Sequence, residues 1–216
     1  MKKFALSFLL WLCISHPAVA ANPQIEFQTN MGSFVVELYP DKAPKTVENF
    51  LAYVKSGFYE GTIFHRVIHR FIIQGGGLTA NMRSKPTSPP VPNEARNGLR
   101  NEPGSLAMAR AFHPDSATAQ FFINLDDNKM LNHYRPEPAL MGYTVFGKVI
   151  RGMDIAQKIG RMPTQVVGKL SDVPQETIVI EKAALLETPI IAEESNETGE
   201  ALPATSKSSK KGKNRG

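Results

Sequence analysis

The chain has 216 residues, 42% hydrophobic and 21% charged, with one cysteine and a formal net charge of +5. Cys13 lies in an N-terminal segment predicted to be removed, which excludes both a disulfide and a thiol nucleophile from the remaining chain. Lys2 and Lys3 leave with it, and acidic and basic blocks near the C-terminus nearly cancel, so the charge does not identify what the folded part binds.

Residues 1–20 have the pattern of a secretory signal peptide: basic Lys2 and Lys3, an apolar run over 4–14, and small residues at Ala18-Val19-Ala20. The apolar run is shorter than the roughly 20 residues of a membrane span. Cleavage after Ala20 and export to the periplasm are the expectation, with no span left in the mature chain. A lipid anchor on Cys13 would need a small residue before it, and Leu12 stands there.

Residues 21–186 suit one domain. Residues 25–29 and 34–38 predict a hairpin joined at Asn30-Met31-Gly32. A helix follows over 44–55: Pro44 suits its first turn, Gly57 its stop, and Val47, Phe50, Leu51 and Val54 form one apolar stripe. Strands are expected over 62–68, 71–74, 106–109, 120–125 and 143–149, then a short helix over 153–159 and a last strand over 176–182. Residues 78–103, rich in Pro, Asn, Ser and Gly, predict a long loop bordering a groove. Many short strands with two isolated helices predict a mostly β fold, a closed antiparallel barrel plugged at its ends.

Beyond Leu186 the composition changes. Glu193, Glu194, Glu197 and Glu200 precede Lys207, Lys210, Lys211, Lys213 and Arg215, with almost no large apolar residue after Ile191. Such a segment buries too little surface to offset its conformational entropy, so 187–216 reads as a disordered, solvated tail. A basic arm for nucleic acid or for an anionic envelope surface is the alternative, and nucleic acid is not expected for an exported protein.

Three segments carry the chemistry. In Phe64-His65-Arg66-Val67-Ile68-His69-Arg70-Phe71-Ile72-Ile73-Gln74, two strands bring a guanidinium, an aromatic ring and a carboxamide close together. The second segment joins Gly104-Ser105-Leu106-Ala107-Met108-Ala109-Arg110-Ala111 to Gln120-Phe121-Phe122-Ile123-Asn124, and the third is Gly142-Tyr143-Thr144-Val145-Phe146-Gly147-Lys148-Val149. In order and spacing they resemble the cyclophilin-type peptidyl-prolyl isomerases over residues 24–184, in pattern closest to the exported bacterial members.

The resemblance implies an eight-stranded antiparallel barrel capped by two helices, acting without cofactor or metal on proline-containing polypeptides, as a monomer. It implies Arg66, Phe71, Gln74 and Phe122 as catalytic residues. Phe71 and Phe122 would floor a proline pocket surrounded by Ile72, Met130 and Leu131 and closed by Tyr143. Gln74 and Gln120 would bond the substrate backbone, and Ala109, Arg110 and Ala111 would line the groove before the proline. Met130 stands where eukaryotic members usually carry Trp, which implies weak cyclosporin binding. Arg110 replaces a common Asn and Tyr143 a common His.

Other signals are weaker. His65 and His69 lie in a strand pattern without the Glu of a zinc-protease helix. Gly75-Gly76-Gly77 lacks the Lys-Ser/Thr of a phosphate cradle and reads as a turn. Asp126-Asp127-Asn128 has too few oxygen ligands for a calcium loop, and Asp115 with Ser116 has no nucleophile elbow. Two functions stay open: an active prolyl isomerase assisting exported proteins to fold, and a cyclophilin-shaped binding module or chaperone with little turnover.

Overall fold

In the computed structural model, which describes residues 21–190, β1 (Gln24–Thr29) and β2 (Gly32–Leu38) form the expected hairpin, with Phe27 opposite Phe34. The signal segment and residues 191–216 of the predicted tail lie outside the described residues. Next comes α1 (Pro44–Lys55), stopped before Gly57, whose φ of +67° suits a residue without Cβ. It is followed by β3 (Thr62–Ile68), β4 (Ile72–Thr79), β5 (Ser105–Met108), β6 (Phe121–Asn124) and β7 (Val145–Arg151). The chain then forms α2 (Met153–Ile159), β8 (Thr164–Val167), β9 (Leu170–Pro174) and β10 (Ile180–Leu185).

Eight strands make one antiparallel sheet in the order β10-β1-β2-β7-β5-β6-β4-β3. Its two edges meet, because the N–H groups of Gly61 and Phe64 donate to the carbonyls of Ile180 and Ile178 at 2.9 Å each. The sheet is thus a nearly closed barrel, as expected, and has no long free edge to template pairing with another chain.

Aromatic rings fill the interior. Phe27 stacks on Phe34 at 5.1 Å, and Phe50 from α1 reaches between Phe121 at 5.6 Å and Phe146 at 5.0 Å. The helix stripe read from the sequence is therefore a plug, with Val47, Phe50 and Val54 buried against the barrel. Truncating one such buried ring to Ala typically costs about 3–5 kcal/mol.

Three local expectations are corrected. Gly75-Gly76-Gly77 is not a turn but the middle of β4, with Gly76 at φ +78°. A Cβ on Gly75 would stand 2.7 Å from the Ile63 carbonyl oxygen, and one on Gly76 2.7 Å from the Phe121 ring. Glycine is required there because β4 is pressed between its neighbours, next to a register shift opposite Phe64 and Arg66. Phe71 belongs to the turn before β4, after Arg70 at φ +54°.

The last strand is Ile180–Leu185 rather than 176–182, its limits set by pairing with β1 from Ile25↔Leu185 to Thr29↔Ile180. The β8–β9 hairpin was not foreseen: its residues are mostly exposed and show no apolar alternation. Past the boundary expected at 186, the chain is tied back to β1. The Gln24 amide donates to the Ile190 carbonyl at 3.0 Å and accepts from its N–H at 2.7 Å.

A buried polar network braces the loops. Asn124 Nδ2 donates to Asn101 Oδ1 at 3.1 Å and to Ser105 Oγ at 2.9 Å, while Asn128 Nδ2 donates to Asn124 Oδ1 at 2.7 Å. Removing one member strands the others without partners, and each buried unsatisfied group costs about 1–3 kcal/mol. Asn124→Ala is expected to lower unfolding stability by about 2–3 kcal/mol in a urea titration; an unchanged midpoint would show that the network bears no load.

Candidate active site

The pleat sends alternate residues to opposite sides of the barrel wall. Ile73, Leu106, Phe121 and Phe146 point into the main core, so their neighbours in sequence point outward. Register aligns those neighbours: Arg66 opposes Gln74, Gln74 opposes Phe122, Phe122 opposes Ala107, and Ala107 opposes Val145. A charged group, an amide and an aromatic ring therefore stand in one row across the outer face.

Around that row lies a second apolar cluster, separate from the barrel core. Ile72, Ala107, Phe122 and Val145 are buried in it, with Phe71, Leu99, Leu131 and Tyr143 packed at its margin. It floors a cavity of about 580 Å³. Arg66, Phe71, Ile72, Gln74, Ala109, Arg110, Gln120, Phe122, Leu131 and Tyr143 all line it. Ala111 lines an adjoining cavity of about 290 Å³ instead. Met130 lines neither: it is 69% exposed on the 3-10 turn Lys129–Leu131, whose next residue, Leu131, faces the cavity.

Loops hold the walls through main-chain bonds. Asn128 Nδ2 donates to the Phe71 carbonyl at 2.9 Å, and Asn101 Nδ2 to the Leu131 carbonyl at 3.0 Å. The Tyr143 N–H also donates to Leu131 at 2.9 Å, and the Tyr143 ring meets Phe122 edge-on at 5.6 Å. The asparagines that stiffen the fold thus also place the pocket walls.

At the polar side, Gln74 Nε2 donates to Gln120 Oε1 at 3.0 Å. Arg66 Nε lies 3.5 Å from Asp172 Oδ2, with the side chains 40% and 36% exposed. Water screens such a pair, so it adds little stability. It does occupy Nε with a carboxylate while the two Nη groups stay available for another acceptor. Asp172 holds φ at +59°, a conformation that Asp tolerates better than most residues. Among the described residues no group of three or more His, Cys, Asp or Glu could hold a metal ion. His65 and His69 do not converge; His69 Nδ1 instead bonds the Gly160 carbonyl at 3.1 Å.

The family model for cyclophilin type peptidyl-prolyl cis-trans isomerase/CLD matches residues 24–185, the whole barrel. The chain belongs to the cyclophilin-type peptidyl-prolyl isomerases. It is 53% identical over 169 residues to a peptidyl-prolyl cis-trans isomerase of Acinetobacter baylyi, covering 78% of this chain and 88% of that one. It is 50% identical over 163 residues to peptidyl-prolyl cis-trans isomerase B of Escherichia coli, covering 76% and 99%. A crystal structure of a cyclophilin type isomerase from Cryptosporidium parvum superposes with a TM-score of 0.64 at 30% identity, covering 78% of this chain and 99% of that one. Another, in the presence of the dipeptide Ala-Pro, gives 0.63 at 29% identity, covering 76% and 99%.

Sequence reasoning missed several residues of this cyclophilin cavity: His65, Leu78, Leu170 and Ser171 line it, and Asp172 reaches its arginine. The last three arrive with the β8–β9 hairpin, which packs beside β3 although about a hundred residues separate them in sequence. The only local signal was Gly168-Lys169 between Val167 and Leu170, a two-residue turn flanked by β-forming residues.

His65 is 6% exposed, and its Nδ1 has no hydrogen-bond partner. Burial pushes its pKa below the ordinary 6.5; the Arg66 charge adds to that, while the Ile63 carbonyl pulls the other way. In the cyclophilin fold the imidazole is therefore neutral near pH 7. As pH falls through 6.5 the unfolded chain takes up this proton and the folded one does not, so stability drops from there toward the folded-state pKa. Thermal unfolding of wild type and His65→Gln at pH 7.5 and 5.5 should show a larger loss in the wild type. Equal losses would mean that His65 is not the titrating group.

Proposed function

We propose that this isomerase acts on exported polypeptides, assisting their folding in the periplasm, and that Arg66 supplies the catalytic donor. Prolyl isomerisation is slow because amide resonance sets a barrier of about 18–20 kcal/mol. No covalent step is needed; the enzyme has to bind the twisted amide more tightly than either planar form. In the twisted state the prolyl nitrogen is pyramidal with a localised lone pair, and a donor aimed at it in a water-poor pocket stabilises the twist.

The observation that carries this reading is the row Arg66–Gln74–Phe122. A buried ring for the proline, an amide for the backbone and a permanent cation stand side by side on paired strands. A related structure was obtained with an Ala-Pro dipeptide, which supports proline-containing peptides as the ligand class here. The signal-like residues 1–20 support export, and the self-contained barrel supports a monomer.

Turnover of a short Ala-Xaa-Pro-Phe peptide by the mature chain tests the chemistry. Arg66→Ala is expected to lower kcat/KM by about 100-fold while peptide affinity changes by less than about threefold, since the donor acts on the twisted state. A wild type that binds the peptide without accelerating it would favour the binding-module reading. Mass spectrometry of the exported protein should find Ala21 as the first residue; an intact Met1 would refute cleavage.

A further inference from the structure

Arg110 stands at the partition between the two neighbouring cavities and lines both. Its guanidinium is fastened to main-chain carbonyls alone. Nε donates to Gly142 at 3.0 Å, Nη1 to Ala111 at 3.0 Å and to Phe112 at 3.1 Å, and Nη2 to Pro138 at 3.1 Å. Its Cζ also lies 4.7 Å from the centre of the Tyr143 ring. These bonds fix the side chain without neutralising it, because every partner is uncharged. A guanidinium carries five N–H groups, so one on Nη2 is left over.

The smaller cavity completes the pattern. Besides Arg110 its lining holds no charged residue, and it includes Thr118 and Gln120. Gln120 uses its oxygen to accept from Gln74, which leaves its own NH₂ as a donor. Thr118 is in the same lining and carries a hydroxyl able to donate. A held cation and two neutral donors thus face a polar recess beside the proline pocket. Arg66, the other arginine lining the main cavity, already shares its charge with Asp172.

We propose that the recess under Arg110 is a subsite for an acidic side chain on the N-terminal side of the substrate proline, so that the enzyme favours sequences with Asp or Glu upstream of Xaa-Pro. The inference rests on the main cavity being the proline pocket. An incoming carboxylate meets a cation already held in place and loses little side-chain freedom on the protein's part. A lysine at the same position meets like charge with no carboxylate on the wall to relieve it.

The test uses the mature chain and Ala-based peptides ending in Pro-Phe, with one Glu or one Lys replacing the Ala one, two or three residues before the proline. Affinity is read by titration followed with amide NMR, and turnover in parallel. At one of these positions the Glu peptide should bind about three- to fivefold tighter than its Lys counterpart at low salt, and the ratio should shrink at about 0.5 M salt. Arg110→Gln should abolish the preference. Arg110→Lys, which keeps the charge without the fork, should retain part of it. If Arg110→Gln does not fold, Thr118→Val, which leaves the guanidinium bonds in place, should narrow the ratio. Equal binding of Glu and Lys peptides at every position overturns the proposal, as does a preference that survives Arg110→Gln or, in its place, an unchanged ratio in Thr118→Val. Failure of the isomerase reading is separately visible: the all-Ala peptide would then bind without being turned over.

Discussion

Phe121 and Phe122 are adjacent in one strand, and the pleat drives their rings to opposite sides of the barrel wall. Phe121 joins the aromatic core at 5.4 Å from Phe27, while Phe122 becomes the floor of the outer cavity. Most of the structure depends on that division. An eight-stranded barrel can fill its interior with side chains, and this one does, with Phe27, Phe34, Phe50, Phe121 and Phe146 buried there. Binding has to be built on the outside, where a second apolar cluster would be a liability unless loops enclosed it. Here Leu99, Leu131 and Tyr143 pack against its margin.

Those loops are shaped by polar side chains rather than by regular structure. Asn101, Asn124 and Asn128 satisfy one another and hold the carbonyls of Phe71 and Leu131. In a low-dielectric interior a fully satisfied network is rigid, and an incomplete one is costly. The cavity walls therefore inherit the stiffness of the sheet although they are not part of it.

The two arginines of the cavity are held by different means. Arg66 faces a carboxylate across a partly exposed gap, a contact that orients more than it stabilises. Arg110 is secured by four carbonyl bonds and a tyrosine face, which leaves its charge effective at the surface of the groove. In the proposed mechanism the first donates to the reacting amide, and in the proposed subsite the second sorts substrates.

Much of this was legible along the chain because alternation, helix stripes and turn residues are local. The first hairpin, α1 with its stop at Gly57, α2 and the strands carrying Arg66, Gln74 and Phe122 follow from neighbours a few residues apart. The eight-stranded barrel and the site roles came from resemblance, since period-2 patterns do not say which strand pairs with which. Local signals misled where a remote contact set the outcome. Gly75-Gly76-Gly77 resembles a turn until the approach of Ile63 and Phe121 makes it a strand. Met130 and Leu131 are equivalent as apolar neighbours, yet the turn that carries them points only Leu131 into the cavity. Asp172 and the fastening of Arg110 depend on segments brought together only when the barrel closes and its loops fold back. Residue types and their local periodicity were enough for most of the elements, but not for the β8–β9 hairpin or the limits of the last strand; the cavity, its second charge and the asparagine brace arise from distances that no stretch of sequence contains.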